Sequence, residues 1–198
     1  FCVGAIEKKK YYSREFIKNG DIAIALSSSG IHSNGFSMVR SILKDNDISL
    51  YDADPFEKSK TIGETLLEPT KIYTKFLNKL NPLNLIKRSV NITGGGLIKN
   101  PPRVFDDNLT LKINVNNWHL PKEFKWLKKM GNLSTYEMLK VFNCGIGMIL
   151  LVEKDYVDEV IQHANNGNEN CFVIGEMVEK CESSVFFEGN LKKWSTMG

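Results

Sequence analysis

The 198-residue sequence is short of the features that would fix its class at a glance. Its four cysteines, Cys2, Cys144, Cys171 and Cys181, form no CxxC pair and have no histidine at ligand spacing. Neither a disulfide framework nor a zinc site is suggested, and a reducing, cytoplasmic setting is expected. No apolar run approaches the roughly 18 residues of a membrane span, and no signal-peptide pattern is present, so no membrane partner is expected. Charge of one sign is also lacking: Lys and Arg number 26 against 23 Asp and Glu. The basic residues are scattered apart from Lys8 to Lys10 and Lys128 to Lys129, which gives no reason to expect a nucleic-acid partner. The Asp-rich stretch Asp45 to Glu57 contains Pro55 and lacks the alternation of a calcium loop, so it reads as a surface loop and no metal site is expected. Repeats and low-complexity tracts are absent, and the frequent Asn is a compositional bias.

What is present is a hydrophobic content of 42%, enough for a core in one large domain or two small ones. Phe1 is not an initiator Met and Cys2 to Glu7 reads as a strand, so the expectation is that the sequence starts inside a longer protein. Lys8 to Asn19 reads as a connection, and Ser195 to Gly198 as a frayed tail.

The most informative stretch is Gly20 to Arg40. Ile22 to Leu26 is a continuous apolar run of the kind found in a strand covered on both faces. Ser27, Ser28, Ser29 and Gly30 follow with hydroxyls and free amides, and His32, Ser33, Asn34 and Gly35 repeat the offer. From Phe36, the apolar residues Met38, Val39, Ile42 and Leu43 recur at helical spacing, with Ser33 or Asn34 as the expected cap and an end near Lys44 to Asp47. Such a loop presents amides and a helix N-terminus to an anion. The alternative is an ordinary strand-to-helix turn, which these residues alone favour.

Further along, Ile72, Tyr73, Phe76, Leu77 and Leu80 form a core stripe after Pro69. Val90 to Gly96, VNITGGG, is a second small-residue cluster, where Thr93, Gly94, Gly95 and Gly96 let backbone approach a ligand; Arg103 either holds a phosphate or pairs with Asp106 or Asp107. Leu109, Leu111, Ile113 and Val115 alternate as a half-buried strand. Pro121 to Met130 and Ser134 to Phe142 read as helices, the second with Ser134 and Glu137 at capping-box spacing. His119 reads as a packing or surface residue. In FNCGIGM, Gly145 and Gly147 leave room beside the next strand, Ile149 to Val152, and Asn143 and Cys144 are expected to face that space. Cys144 is either a nucleophile or, as favoured, a small buried residue. Asp155 to Asn166 reads as a capped helix stopped by Gly167, with His163 at its negative end. Strands at Cys171 to Val178 and Val185 to Glu188 finish the chain. The irregular alternation predicts an α+β fold, a mixed sheet with helices packed on it.

Taken in order, GDIAIALSSSGIHSNGFSMVRSIL, LLEPTKIY, ITGGGLIKNPPRV, NWHLPKEFKWL, EMLKVFNCGIGMI and FVIGEMV closely resemble the phosphoribosylformylglycinamidine cyclo-ligases, or aminoimidazole ribonucleotide (AIR) synthetases, from Phe1 to about Glu188. The resemblance implies a member of a superfamily of ATP-using proteins with two α/β domains. It divides the chain into residues 1–19, the end of a truncated first domain and its connection, residues 20–188, the second domain, and a tail, 189–198. It implies ATP-dependent ring closure of formylglycinamidine ribonucleotide in purine biosynthesis, with ATP and Mg²⁺ held mainly by the first domain's motifs, which have no counterpart here, at the interface of a homodimer. This chain then supplies part of the active site and is inactive alone. His32 and Asn34 become the catalytic candidates. Ser28, Ser29, Gly30, Ser33 and Gly35 become the phosphate-contacting loop, and Thr93 to Gly96 with Asn143 complete the cleft. Two positions depart from the family pattern: Asn91 stands where His is common, and Ser27 where Gly is common. The alternatives are a phosphate-ligand-binding module without turnover, or a related superfamily member such as formylglycinamidine ribonucleotide synthetase or a thiamine-phosphate or selenium-phosphate kinase.

Overall fold

The computed structural model describes residues 3–5 and 17–194. Six strands form one sheet in the order β2-β4-β1-β5-β3-β6: β1 is Ile22–Ser27, β2 Arg88–Asn91, β3 Leu109–Asn114, β4 Ile146–Val152, β5 Cys171–Glu179 and β6 Val185–Glu188. All neighbouring pairs are antiparallel except β3 with β6. The helices are α1 Phe36–Asp45, α2 Ile62–Leu66, α3 Thr74–Leu80, α4 Gly96–Lys99, α5 Lys122–Met130, α6 Thr135–Val141 and α7 Val157–Asn166. This is the expected α+β arrangement, with helices on both faces of a mixed sheet.

The continuous apolar runs are explained by those two faces. In β1, Ala23 and Ala25 join a core with Val39 and Ile42 of α1, Phe124 and Leu127 of α5, and Met138 and Leu139 of α6. Ile24 and Leu26 point the other way, to Phe76 and Leu80 of α3 and Val160 and Ala164 of α7. β4, paired along β1 from Ile22 opposite Val152 to Leu26 opposite Met148, is buried at every position for the same reason. A strand buried on both faces has no polar face to display. At the start of β1 the buried Asp21 accepts from Lys87 Nζ at 2.8 Å and from the Lys18 amide at 2.8 Å, which ties β1 to the approach of β2.

Several local expectations need correction. Neither Ser33 nor Asn34 caps α1: the N-cap is Gly35, in the left-handed region at φ 87°, without a side-chain cap bond. A Cβ there would lie 2.5 Å from the Phe142 ring, so close packing as well as backbone sign demands glycine. Ile72 is exposed and lies before α3, so the core stripe begins at Tyr73 and Pro69 sits outside the helix. The short helix α2, begun by a capping box of Thr61 and Glu64, was not foreseen. The expected helix from Asp155 starts as a 3-10 turn, Lys154–Tyr156, and α7 has no side-chain cap. Near the end, Trp194 is buried and packs against Trp118 with centroids 5.3 Å apart, so residues 189–194 include a core contact. The strand expected at Cys2 to Glu7 falls on Val3 to Ala5, which have no regular structure, and on positions outside the described residues. Most of Lys8 to Asn19, and Ser195 to Gly198, also lie outside them.

Candidate active-site wall at one end of the sheet

Because β1 and β2 both run antiparallel to β4, they leave the sheet at the same end, where β4 enters it. β5 also begins there, with Cys171 opposite Leu26. The loops after β1 and β2, and the one before β4, therefore meet by topology. Ser28 N–H donates to Gly145 O at 2.9 Å and Ile92 N–H to Gly147 O at 2.9 Å, joining them backbone to backbone.

Asn143 is the central tie. Its Oδ1 accepts from Ser28 Oγ at 3.1 Å and from Gly145 N–H at 2.8 Å, and its Nδ2 donates to Gly30 O at 2.8 Å and Ile31 O at 3.2 Å. Its side-chain amide holds the serine loop in shape. Cys144, expected to face open space beside it, is fully buried, and burial pushes its thiol up, away from the reactive thiolate.

The serine loop is braced from its other side by residues 68–71. Ser29 Oγ donates to Pro69 O at 2.6 Å, Ser33 and Thr70 hydroxyls are 3.1 Å apart, and the Lys71 amide lies 3.5 Å from His32 Nε2. His32 Nε2 also accepts from Ser29 N–H at 3.2 Å. With Nε2 an acceptor, the neutral ring carries its proton on Nδ1. His32 is buried, and its backbone is left-handed at φ 61°, unusual for a residue with a side chain. Burial, then the positive charge of Lys71, holds its pKa below the usual histidine value. Tyr73, at the start of α3, lies beside it with ring centroids 6.3 Å apart and donates its hydroxyl to Ser27 O at 2.9 Å. A Cβ on Gly147 would collide with that hydroxyl and lie 2.7 Å from His32 Cε1, so the glycine in β4 is what admits both rings. Lys71 Nζ is itself paired with Glu169 Oε2 at 2.7 Å.

The loop after β2 is organised differently. The fully buried Asn100 accepts from Thr93 N–H at 2.6 Å and Thr93 Oγ at 2.9 Å, and donates to Gly94 O at 3.0 Å. Gly95, at φ 98°, caps α4. A Cβ on Gly94 would lie 3.4 Å from Asn34 Oδ1, which brings the two loops side by side; Gly96 packs against the carbonyls of Leu139 and Phe142. Arg103, weighed as a phosphate holder, is exposed on a 3-10 turn.

The structure thus gathers Ser28, Ser29, Gly30, His32, Ser33, Asn34 and Gly35 with Thr93 to Gly96 and Asn143 at one end of the sheet. The room expected at Gly147 is filled by the rings of Tyr73 and His32, and Asn100 brings its polar group to the glycine cluster as a brace; the residues that sequence reasoning missed are Tyr73, read only as core, and the Pro69 to Lys71 brace. Only LLEPTKIY, within the resemblance, pointed toward that brace.

Residues 18–188 match the family model described as AIR synthase related protein, C-terminal domain. The chain belongs to this family. Within it, the chain is 45% identical over 181 residues to a phosphoribosylformylglycinamidine cyclo-ligase of Lactobacillus acidophilus, covering 91% of this chain and 52% of that protein. It is 38% identical over 196 residues to the bifunctional purine biosynthetic protein ADE1 of Schizosaccharomyces pombe, covering 98% of this chain and 25% of that one. The chain spans about half the length of the bacterial relatives it matches. Among solved structures, thiamine-monophosphate kinase from Stenotrophomonas maltophilia K279a shares the fold, with a TM-score of 0.62 at 15% identity over 94% of this chain and 55% of that one.

Proposed function

We propose that this chain supplies one wall of the active site of an ATP-dependent ligase that closes the ring of formylglycinamidine ribonucleotide to give aminoimidazole ribonucleotide. The observation that carries the reading is the loop from Ser28 to Gly35. It is cross-braced from two other segments and ends on the N-terminus of a ten-residue helix that no side chain caps. The first amides of α1 have no partner within the helix, and they lie at its positive end. A phosphate placed there receives backbone N–H groups already fixed in position.

Within that wall the hydroxyls of Ser28, Ser29 and Ser33 shape the loop, since each is engaged with Asn143, Pro69 or Thr70. Gly30 and Gly35 allow the close approach. Asn34 and the Nδ1–H of His32 are the side-chain donors to the phosphorylated group, and Thr93 to Gly96 line the neighbouring side. His32 works as a neutral donor and positioning group, because taking up a proton at Nε2 disrupts its bond from Ser29 N–H. Among the described residues no three His, Cys, Asp or Glu side chains converge. The described residues offer no Mg²⁺ cage, and ATP with its metal belongs mainly to the part of the protein outside this chain. The same part is expected to form the homodimer, in the cytoplasm. Among the described residues no helix is long and apolar enough to cross a membrane.

The test is calorimetry with the ribonucleotide, followed by an assay of AIR formation with ATP. The isolated chain is expected to bind the ribonucleotide and not to turn it over. Absence of binding overturns the reading, and turnover by these residues alone overturns the division of labour.

A further inference from the structure

Beside the serine loop, on the β5 side of the exit of β1, lies a cleft of about 440 Å³. It has a size suited to part of a small ligand. The chain reaches it from β3 through a 3-10 turn, Val115–Asn117, which runs along β5 with Asn117 Nδ2 donating to Val173 O at 3.1 Å. Phe172 and Pro121 are half-buried in its lining, with Trp118 beneath. Trp118 donates its Nε1–H to Cys144 O at 3.0 Å, so it contributes apolar surface and no free donor. Gly145 keeps the lining open next to Pro121: a Cβ there would meet the proline ring at 2.7 Å.

The polar lining holds no carboxylate, ammonium or guanidinium group. It consists of Ser27, Ser28, Asn117, Asn170 and His119. Asn170 gives its backbone carbonyl to Ser27 N–H at 3.0 Å and to Ser27 Oγ at 3.2 Å, which leaves the exposed side-chain amide to face a ligand. His119 is exposed in the same lining. Flat apolar surfaces with amide, hydroxyl and imidazole groups around them suit a planar, nitrogen-rich group that carries many hydrogen-bonding atoms and no full charge.

Ser28 belongs to both the cleft and the anion-facing loop. From the exit of β2 to the start of β5 there are three strand-to-strand steps, about 14 Å at the usual spacing. That span accommodates a phosphorylated ribonucleoside laid across the strand ends. We propose that the cleft of Phe172, Pro121 and His119 binds the planar, nitrogen-rich end of a ribonucleotide whose phosphate lies against the serine loop. The phosphate half rests on the function proposed above; the cleft stands on its own lining. Two sources share the chemistry, the aminoimidazole end of the pathway nucleotide and the adenine of ATP.

The experiment separates the two halves with probes that each lack one of them: aminoimidazole riboside and adenosine, without phosphate, and ribose 5-phosphate, without a ring. Each is titrated against the full chain and its variants by calorimetry. Phe172→Ala is expected to weaken the preferred riboside about tenfold, as loss of an aromatic stacking partner does, and His119→Ala several-fold. Both are expected to leave ribose 5-phosphate unchanged. His119 is exposed, so His119→Ala should keep the wild-type unfolding midpoint and serves if Phe172→Ala fails to fold. Stronger binding of adenosine than of aminoimidazole riboside, with the same response to the variants, assigns the cleft to ATP. If no riboside binds, or if riboside affinity is unchanged in His119→Ala and Phe172→Ala, the cleft proposal is overturned, even where ribose 5-phosphate still binds. Riboside binding that responds to the variants, with no binding of ribose 5-phosphate, supports the cleft and removes the phosphate-loop reading instead.

Discussion

Two loops leave the same end of the sheet, one after β1 and one after β2, and both run through small residues to a helix capped by a left-handed glycine, Gly35 or Gly95. Their bracing differs. The loop after β2 is closed by Asn100, a few residues downstream of the turn it holds. The loop after β1 is held by Asn143 from before β4 and by Pro69 to Lys71 from before α3. A self-braced turn keeps its form if its neighbours move. A cross-braced one transmits any change in three segments to the groups it presents, and also rests in water-poor surroundings that keep His32 neutral. The comparison suggests that the first loop is the precise one and the second a supporting wall.

The largest expected effect comes from Gly147→Ala. The added methyl would overlap the Tyr73 hydroxyl and crowd His32, and overpacking of this kind costs about 3 kcal/mol. Denaturant unfolding should show that loss, together with loss of ribose 5-phosphate binding. A variant as stable as wild type would mean that the two rings do not depend on β4, which breaks the comparison at its root. Asn143→Ala comes next. It leaves the buried acceptors of Gly30 and Ile31 and the Gly145 N–H without their partner, a loss of about 2 kcal/mol or more. Asn143→Asp restores acceptance from Ser28 and Gly145 but cannot donate to the two carbonyls, so it should recover only part of the stability.

Asn100→Ala sharpens the contrast. It removes the local brace of Thr93 and Gly94, at a cost of about 1 to 2 kcal/mol. Amide exchange should quicken around Thr93 to Gly96 while Ser29 stays protected. If Ser29 loses protection equally, the two loops form one unit.

The physical origin of the bracing also explains what was legible in the sequence. The runs Ile22 to Leu26 and Ile149 to Val152 declared themselves as strands because both faces of the sheet are covered, and the Ser134 and Glu137 box declared α6 because its bonds are local. The motifs marked loops that the fold brings together at one end of the sheet. The cap at Gly35 could not be read, because its need for glycine comes partly from Phe142, far along the chain. Asn143 looked like an open polar residue, because the carbonyls it holds lie 113 and 112 positions away. His32 stood out only as a polar loop residue and catalytic candidate, because its burial is made by Tyr73 and Gly147 from other elements. Short-range rules registered short-range causes; contacts made only by folding left no local trace.

Acid sensitivity is a smaller effect specific to the first loop. His32 has its folded pKa lowered by burial and by Lys71, so between that value and the ordinary histidine value near 6.5 the unfolded chain binds more protons than the folded one. Stability is therefore complete above about pH 6.5 and declines as pH falls toward the folded pKa. The decline should be shallower in His32→Gln, whose side-chain oxygen can still accept from Ser29 and does not titrate. Unfolding midpoints at pH 5 and pH 7.5 measure the difference, and an equal decline in both proteins would show that His32 is not its source.

The smallest effect is expected from Lys71→Met. Its ammonium pairs with Glu169 at 2.7 Å, with both side chains partly exposed, so loss of the pair should cost no more than about 1 kcal/mol. Its more telling consequence is at His32, where Lys71 is the second cause of the lowered pKa after burial. Removing the charge should move the His32 titration up toward the ordinary value without reaching it, since burial remains. The ring resonances of His32, followed by NMR between pH 4 and 8, read this directly. An unchanged midpoint would mean that Lys71 braces the loop only through its backbone amide. A midpoint at the ordinary value would mean that the ring is wetter than its position beneath Tyr73 implies, and the contrast between a cross-braced, dry loop and a self-braced one would have to be redrawn around water.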